Sequence, residues 1–192
     1  MKQNHYANRQ AGGGLQNSNP QGDEWFKLKA FVYNNTTTEA MNGWVDQAIK
    51  NKGWAIELLH GCIAGDTPNG LTIAKNIFSN HMNYLNQKKD HIWVGSFNDV
   101  TAYIKERESA KASVLSADNT LVTLTLTDSL PDDRFRQPLT MIVNVPSHWE
   151  NGATYVQGDL TGESEIVKTE KGRSYVQINA IPDQGVITLK KK

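Results

Sequence analysis

The stretch Trp54-Ala55-Ile56-Glu57-Leu58-Leu59-His60-Gly61 decides the predicted fold of the first half of the chain. It is a short apolar run that follows Gly53 and ends in a histidine and a glycine. Apolar runs of this length bounded by glycine are typical of buried strands. Since α/β proteins concentrate their chemistry at the carboxyl ends of parallel strands, His60 is the first candidate functional residue.

The segments around this run alternate between strand and helix patterns. Strand patterns at 26–33, 54–60 and 91–94 are each followed by an amphipathic helix pattern. Thr36 and Glu39 have the spacing of a capping box for the first helix, and Gly53 is its expected end. Three strand–helix units predict a parallel sheet with helical crossovers. They are too few to close a barrel of about eight strands, so the sheet stays open or part of a barrel is missing.

The pattern changes near residue 110, where short segments begin to alternate between apolar and polar residues. They are Leu121–Thr127, Leu139–Val145, Tyr155–Gln157, Tyr175–Ile178 and Val186–Leu189. Turn residues such as Asp118-Asn119 and Asn151-Gly152 separate them. This spacing predicts a small antiparallel β-sandwich of the immunoglobulin-like kind. We therefore predict two domains, 1–110 and 111–192.

Composition narrows the class of protein. The chain has 192 residues with 20 basic and 20 acidic side chains, so charge gives no reason to expect nucleic acid as a partner. No apolar run approaches the about 20 residues of a membrane span. The polar start, 1–19, lacks the pattern of a signal peptide. A single cysteine, Cys62, excludes an intrachain disulfide.

The histidines allow more than one interpretation. An imidazole at a strand tip could transfer a proton to or from a substrate, but the residues alone favour a His60 that caps the strand and hydrogen-bonds a neighbouring loop. His81 lies on the apolar face of a helix pattern and is predicted to be a hydrogen-bonded residue of the core or its boundary. No pair of histidines has metal-ligand spacing and there is no Cys/His cluster, so we predict no metal site in this chain.

The five tryptophans are candidates for stacking on sugar rings. Trp44 falls on the core face of a predicted helix, and Trp54 and Trp93 fall in predicted strands, so we expect these three to serve the fold. Trp25 and Trp149 lie beside polar loops and are the open candidates for sugar contact.

The order of several strings resembles the C-terminal half of the catalytic domain of NodB-like polysaccharide deacetylases. The strings are Tyr6-Ala7-Asn8-Arg9, Leu28-Lys29-Ala30, Trp44-Val45-Asp46-Gln47-Ala48, Leu58-Leu59-His60-Gly61, 78–85, Ile92-Trp93-Val94 and 99–107. The resemblance covers roughly 1–112, and the remainder resembles the β domain that some of these enzymes carry after the barrel. It implies a partial (β/α) deacetylase barrel followed by a β-sandwich.

The resemblance also implies a chemistry, in which a metal-bound water attacks an acetyl group on a sugar. His60 matches the family's late histidine, which protonates the leaving group, and Arg9 matches the arginine that pairs with the aspartate base. Leu58 matches a residue lining the acetyl pocket. Asp23-Glu24-Trp25 matches the family's Asp-Trp element, which makes Trp25 a substrate-binding candidate.

The chain departs from the family where the metal should bind. The Thr-Phe-Asp-Asp-like and His-x3-His-like strings that carry the base and the metal ligands are absent. The resemblance therefore implies the C-terminal portion of a secreted or periplasmic deacetylase of acetylated polysaccharides that is inactive alone. Such a chain would be a truncated protein, the product of a split gene or a degenerate relative. Zinc or a similar divalent metal would belong to the intact enzyme, and this chain would need the missing N-terminal half or a second copy.

Two other interpretations remain open. The chain could be a non-catalytic carbohydrate-binding or assembly module with the sandwich as its working part. It could also be a structural domain in which His60 only caps a strand.

Overall fold

The structure, a computed structural model, describes residues 5–63 and 71–192. It divides into two compact units, Met1–Phe97 and Asn98–Lys192. Strands make up 35% of the described residues and helices 25%, so this part of the protein is mainly β. The division falls at the start of a helix, whereas the sequence pattern placed the boundary near residue 110.

The first unit contains short parallel strands and two helices. Strands β1 (Arg9–Ala11), β2 (Leu28–Val32) and β3 (Glu57–Leu58) form one sheet in that order, with both pairs parallel. The other elements are a 3-10 helix (Gly22–Phe26), α1 (Thr38–Asn51), the parallel pair β4 (Gly61–Ile63) and β5 (Thr72–Ala74), and α2 (Lys75–Gln87). Tyr33, Met41 and Ile73 form the buried core between these elements.

The predicted partial (β/α) barrel is wrong. Within the described residues the parallel strands form separate sheets of three and two strands, and no barrel closes. The predicted strand at 54–60 shrinks to Glu57–Leu58, and 91–94 forms no strand. The aromatic start of the run makes other contacts, since Trp54 pairs with Gln16 in an isolated bridge and stacks on Phe97 at 5.4 Å between ring centroids.

Both ends of helix α1 lie close to the positions that the sequence predicts. The predicted cap is one residue early, because the Oγ1 atom of Thr37, and not that of Thr36, accepts the backbone N–H of Ala40 at 3.2 Å. At the other end Lys52 adopts a left-handed conformation with φ 50°, and the N–H of Gly53 donates to the Ala48 carbonyl at 3.0 Å. The expected helix end at Gly53 is therefore confirmed.

The second unit is built from one helix and two antiparallel sheets. Helix α3 (Phe97–Ser109) starts at the last residue of the first unit and leads into a five-stranded sheet of order β10-β9-β13-β7-β6, and the other sheet has the order β11-β12-β8. The strands are β6 (Lys111–Ala117), β7 (Leu121–Thr127), β8 (Leu139–Val145), β9 (Ala153–Gln157), β10 (Leu160–Ser164), β11 (Val167–Lys168), β12 (Ser174–Ala180) and β13 (Val186–Lys191). The strands predicted at 121–127 and 139–145 are confirmed with the same bounds.

The core of this unit is built from apolar residues that alternate with polar residues along the strands. Val122, Leu124 and Leu126 on β7 are buried, while the threonines between them point away from the core. Alternate residues of β8, β9, β12 and β13 join them around Trp149 in one apolar cluster shared by both sheets. Tyr103 of α3 and Ala110 pack against the same cluster and hold the helix to the unit.

Gly162 on β10 is required by close packing. It pairs with Tyr155 on β9, and a Cβ atom added at Gly162 would lie 2.5 Å from the Tyr155 ring, which is held in the core. We expect Gly162→Ala to destabilise the unit by about 1–3 kcal/mol, because the ring must move against its neighbours. Urea denaturation followed by circular dichroism measures this loss.

Gly43, in the middle of α1, is the control for this substitution. Among the described residues, no atom outside the neighbouring helix backbone lies within 4 Å of the Cβ that Gly43→Ala would add. Helix propensity alone therefore predicts a gain of up to about 1 kcal/mol. Equal effects of the two alanines would contradict the packing argument.

Candidate functional site

Four polar side chains from four elements meet in the core of the first unit. Tyr33 follows β2, Asn42 lies on α1, Glu57 lies on β3 and His81 lies on α2. We call these residues the Glu57 cluster. Tyr33 and His81 are fully buried, whereas the Glu57 side chain is 20% exposed. The cluster therefore runs from the interior of the unit to its surface.

His81 is held by both of its ring nitrogens. Its Nε2 lies 3.2 Å from Oε2 of Glu57, and its Nδ1 lies 3.0 Å from Oδ1 of Asn42. A protonated ring donates to both oxygens. A neutral ring donates to one of them and is satisfied at the other nitrogen only if the Asn42 amide is turned to donate. Either arrangement fixes the ring. The prediction of His81 as a hydrogen-bonded core or boundary residue is confirmed, since the side chain is fully buried.

Tyr33 donates a hydrogen bond to the same Glu57 oxygen, Oε2. Burial, followed by the charge of the Glu57 carboxylate and by this hydrogen bond, raises the pKa of Tyr33 above its ordinary value of 10.0. The phenol therefore keeps its proton and acts as a donor, not as a base. Two donors on Oε2 leave the carboxylate in a fixed orientation.

The second carboxylate oxygen of Glu57 differs from the first. Within the described residues, Oε1 has no hydrogen-bond partner, and the Glu57 side chain as a whole is 20% exposed. Beside it, Phe31 pairs with Glu57 across β2 and β3, and Phe31 stacks on Trp44 with centroids 4.5 Å apart. The arrangement presents an oriented acceptor next to half-buried aromatic rings.

The residues predicted to be catalytic lie elsewhere. His60 is exposed in a bend after β3, and Arg9 is exposed on β1. Arg9 pairs with Leu28 at the start of β2, whereas Leu58 pairs with Val32 at its end. Arg9 and Leu58 are therefore separated by about four residues, or about 13 Å, along the strand direction. His60 comes two positions beyond Leu58. The structure does not bring His60 and Arg9 together.

The substrate-binding candidates are less open than their sequence context suggests. Leu58 is half-buried in β3, where its carbonyl accepts the Tyr33 N–H at 3.1 Å. Trp25 lies in the 3-10 helix and is only 7% exposed, which leaves its ring little surface for a sugar.

Two other tryptophans reverse their expected roles. Trp149, expected near a polar loop, is completely buried in the sandwich core. Trp93, expected in a strand, lies outside any strand and is 53% exposed, next to the exposed Val94. A tryptophan with this exposure is a surface contact candidate that the sequence assigned to the fold.

No group of three or more histidine, cysteine, aspartate or glutamate side chains is arranged to hold a metal ion in the described part of the chain. In the same part, none of the helices combines the length and apolar character needed to cross a bilayer.

The fold and this site define a mainly β, two-unit protein with an oriented carboxylate in its first unit. No family model matches the chain, and no solved structure matches it. A gellan lyase from a Bacillus species is 29% identical to it over 141 residues. The match takes in 72% of this chain but only 6% of the gellan lyase, so the chain spans a small part of that relative.

These findings correct the family resemblance drawn from the sequence. The relative is named as a lyase and not as a deacetylase, no deacetylase model matches, and the expected barrel is absent from the described residues. The identification as a NodB-like polysaccharide deacetylase is therefore wrong. The strings that suggested it are short and loosely spaced, so they occur together without the barrel that gives them their roles. The catalytic roles of His60 and Arg9 rested on this resemblance and are no longer supported by it.

Proposed function

We propose that this chain is a non-catalytic, polysaccharide-binding module of an extracellular protein that acts on polysaccharides. One observation carries the proposal: most of the chain is similar to a small part of a gellan lyase. A short segment of a long polysaccharide-degrading enzyme is commonly one module among several, and binding the polymer is a task that such a module can perform alone.

The Glu57 cluster is the part of the chain best suited to contact a sugar. Sugar hydroxyl groups are hydrogen-bond donors, and an ionised carboxylate is a strong acceptor for them. Tyr33 and His81 hold Oε2 of Glu57, so Oε1 can accept a hydroxyl without losing the orientation of the group. Phe31 and Trp44 lie beside it and offer aromatic surface to the C–H face of a sugar ring.

Binding of polysaccharides by the full chain tests this proposal. We expect the chain to bind gellan in affinity electrophoresis and in isothermal titration calorimetry. We expect Glu57→Gln to weaken binding by roughly 10-fold or more, because a charge-assisted hydrogen bond contributes about 1.5–3 kcal/mol. Asp90→Asn removes an exposed carboxylate from the same unit and is the matched control, expected to bind like the wild type.

The possible outcomes distinguish a wrong position for the sugar site from a wrong function for the chain. Binding that Glu57→Gln does not change would place the sugar elsewhere and leave the module function intact. Failure to bind gellan and other polysaccharides would overturn the function itself. Release of unsaturated sugars from gellan by this chain would show that it is catalytic. Self-association without polysaccharide binding would favour an assembly role.

A further inference from the structure

A buried carboxylate fastens helix α3 to the body of the second unit. The Glu106 side chain is completely buried, and its two oxygens accept the same backbone N–H, that of Gln137, at 3.1 and 2.9 Å. Gln137 lies just before β8. One hydrogen-bond donor therefore serves a carboxylate that could accept several.

The charges around Glu106 are those of other carboxylates. Asp128 and Asp132, on the segment between β7 and β8, both act on it through their negative charge. Asp99 of α3 accepts the side-chain amide of Gln137 at 3.1 Å, and Asp183 accepts the N–H of Asp128 at 2.9 Å. Within the described residues no ion pair joins Glu106 to a cation.

The charges that act on Glu106 are those of Asp128 and Asp132, and neither basic neighbour in the chain is among them. Arg107 pairs with Glu108 at 3.0 Å, between Nη2 and Oε1. Lys105 is partly buried, which lowers its pKa. The carboxylate of Glu106 is therefore held in an environment that favours its neutral, protonated form.

Titration of Glu106 falls in the physiological range. Burial raises the pKa of Glu106 from 4.5 to about 7, an effect that the Gln137 N–H opposes and that Asp128 and Asp132 reinforce. Below this pH the Glu106 carboxyl is mainly protonated, so no negative charge is buried beside the two aspartates. Above it, a buried negative charge faces two aspartates with one N–H as its support.

We propose that protonated Glu106 holds α3 against the segment before β8, and that ionisation of Glu106 in weakly alkaline solution loosens the helix. Apart from its first residue, α3 belongs to the second unit, so the fastening acts within that unit. This pH response depends only on proton binding at Glu106 and not on the proposed polysaccharide site.

The sign of the effect follows from proton linkage. The folded chain binds more protons at Glu106 than the unfolded chain between the ordinary value of 4.5 and about 7. Stability from this group is therefore greatest at acidic pH and is lost as the pH rises through that window. Between pH 6 and pH 8 the linkage amounts to about a 10-fold change in the opening equilibrium.

Amide hydrogen exchange of the full chain, followed by mass spectrometry, tests the proposal. After correction for intrinsic exchange, we expect protection of 102–110 to fall about 10-fold from pH 6 to pH 8. Glu106→Gln, which stays neutral, is expected to abolish this fall. Glu108→Gln, an exposed neighbour on the same helix, is expected to behave like the wild type. The same fall in wild type and Glu106→Gln would overturn the proposal.

A measurement on the unmodified chain covers the case in which Glu106→Gln does not fold. The Gln137 amide, which donates to Glu106, reports its titration by NMR. We expect its chemical shift to titrate with a midpoint near the pKa of about 7. A midpoint below about 5, the range of an ordinary glutamate, would overturn the proposal.

Discussion

Replacement of Trp149 by alanine is expected to destabilise the second unit by about 3–5 kcal/mol, the range for removing a buried aromatic side chain. Trp149 is completely buried in the apolar cluster that both sheets share. Its Nε1 also donates to the Asn119 carbonyl at 2.8 Å, which ties the core to the turn between β6 and β7. The alanine variant loses the packing and this tie together.

Two further variants separate these contributions. Trp149→Phe keeps an aromatic ring but removes the donor, and we expect a loss nearer to about 1–2 kcal/mol, because His148 Nε2 still lies 2.8 Å from the Asn119 carbonyl. Trp93→Ala removes an exposed tryptophan and should change stability by about 0.5 kcal/mol or less. Urea denaturation followed by circular dichroism measures all three. A loss below about 1 kcal/mol for Trp149→Ala would contradict the burial of this side chain.

The second half of the fold could be predicted because its pattern is local. A strand with one buried face alternates strictly, as Val122, Leu124 and Leu126 do against intervening threonines, and the observed bounds of β7 and β8 follow from it. The turn before β7 could also be predicted, because Asp118 forms hydrogen bonds with residues close to it in sequence. Its Oδ1 atom accepts the backbone N–H groups of Thr120 and Leu121 at 2.7 and 2.8 Å, which any short turn after a strand needs.

The first half could not be predicted in the same way. An apolar run is compatible with a strand, but Trp54 is held by one isolated bridge and by stacking on Phe97, and Ile56 is buried just before the ladder. Only Glu57–Leu58 therefore forms a strand. Sequence neighbours also say little about the exposure of a tryptophan. The position of Trp149 depends on Asn119, which lies 30 residues away, and no local pattern contains that contact.

The candidate site was visible only in part. The pattern placed His81 in the core, but a histidine does not reveal its partner. Glu57 was the one carboxylate inside the decisive apolar run, and that was the available clue. Its contacts to Tyr33 and His81 each span 24 residues of sequence, so the cluster exists only once β2, β3 and α2 have come together. The exposed His60 was more conspicuous in the sequence and is less well placed in the structure.

Removal of His81 is expected to have the largest effect within the first unit. His81→Ala leaves a cavity in the core, takes one donor from Oε2 of Glu57 and leaves Asn42 without its partner. We expect a loss of about 2–4 kcal/mol from these effects together. Tyr33→Phe removes only the hydroxyl and should cost about 1–2 kcal/mol.

The two substitutions should not act independently, because Tyr33 and His81 hold the same carboxylate oxygen. With both donors removed, Glu57 can turn toward solvent through its exposed side, so the second loss should be smaller than the first. We expect the double variant to be more stable than the sum of the single effects predicts, by about 0.5–2 kcal/mol. Urea denaturation of the four chains gives this coupling. Additivity to within about 0.3 kcal/mol would show that Tyr33 and His81 do not share Glu57. That result would also remove the oriented carboxylate on which the proposed sugar binding rests.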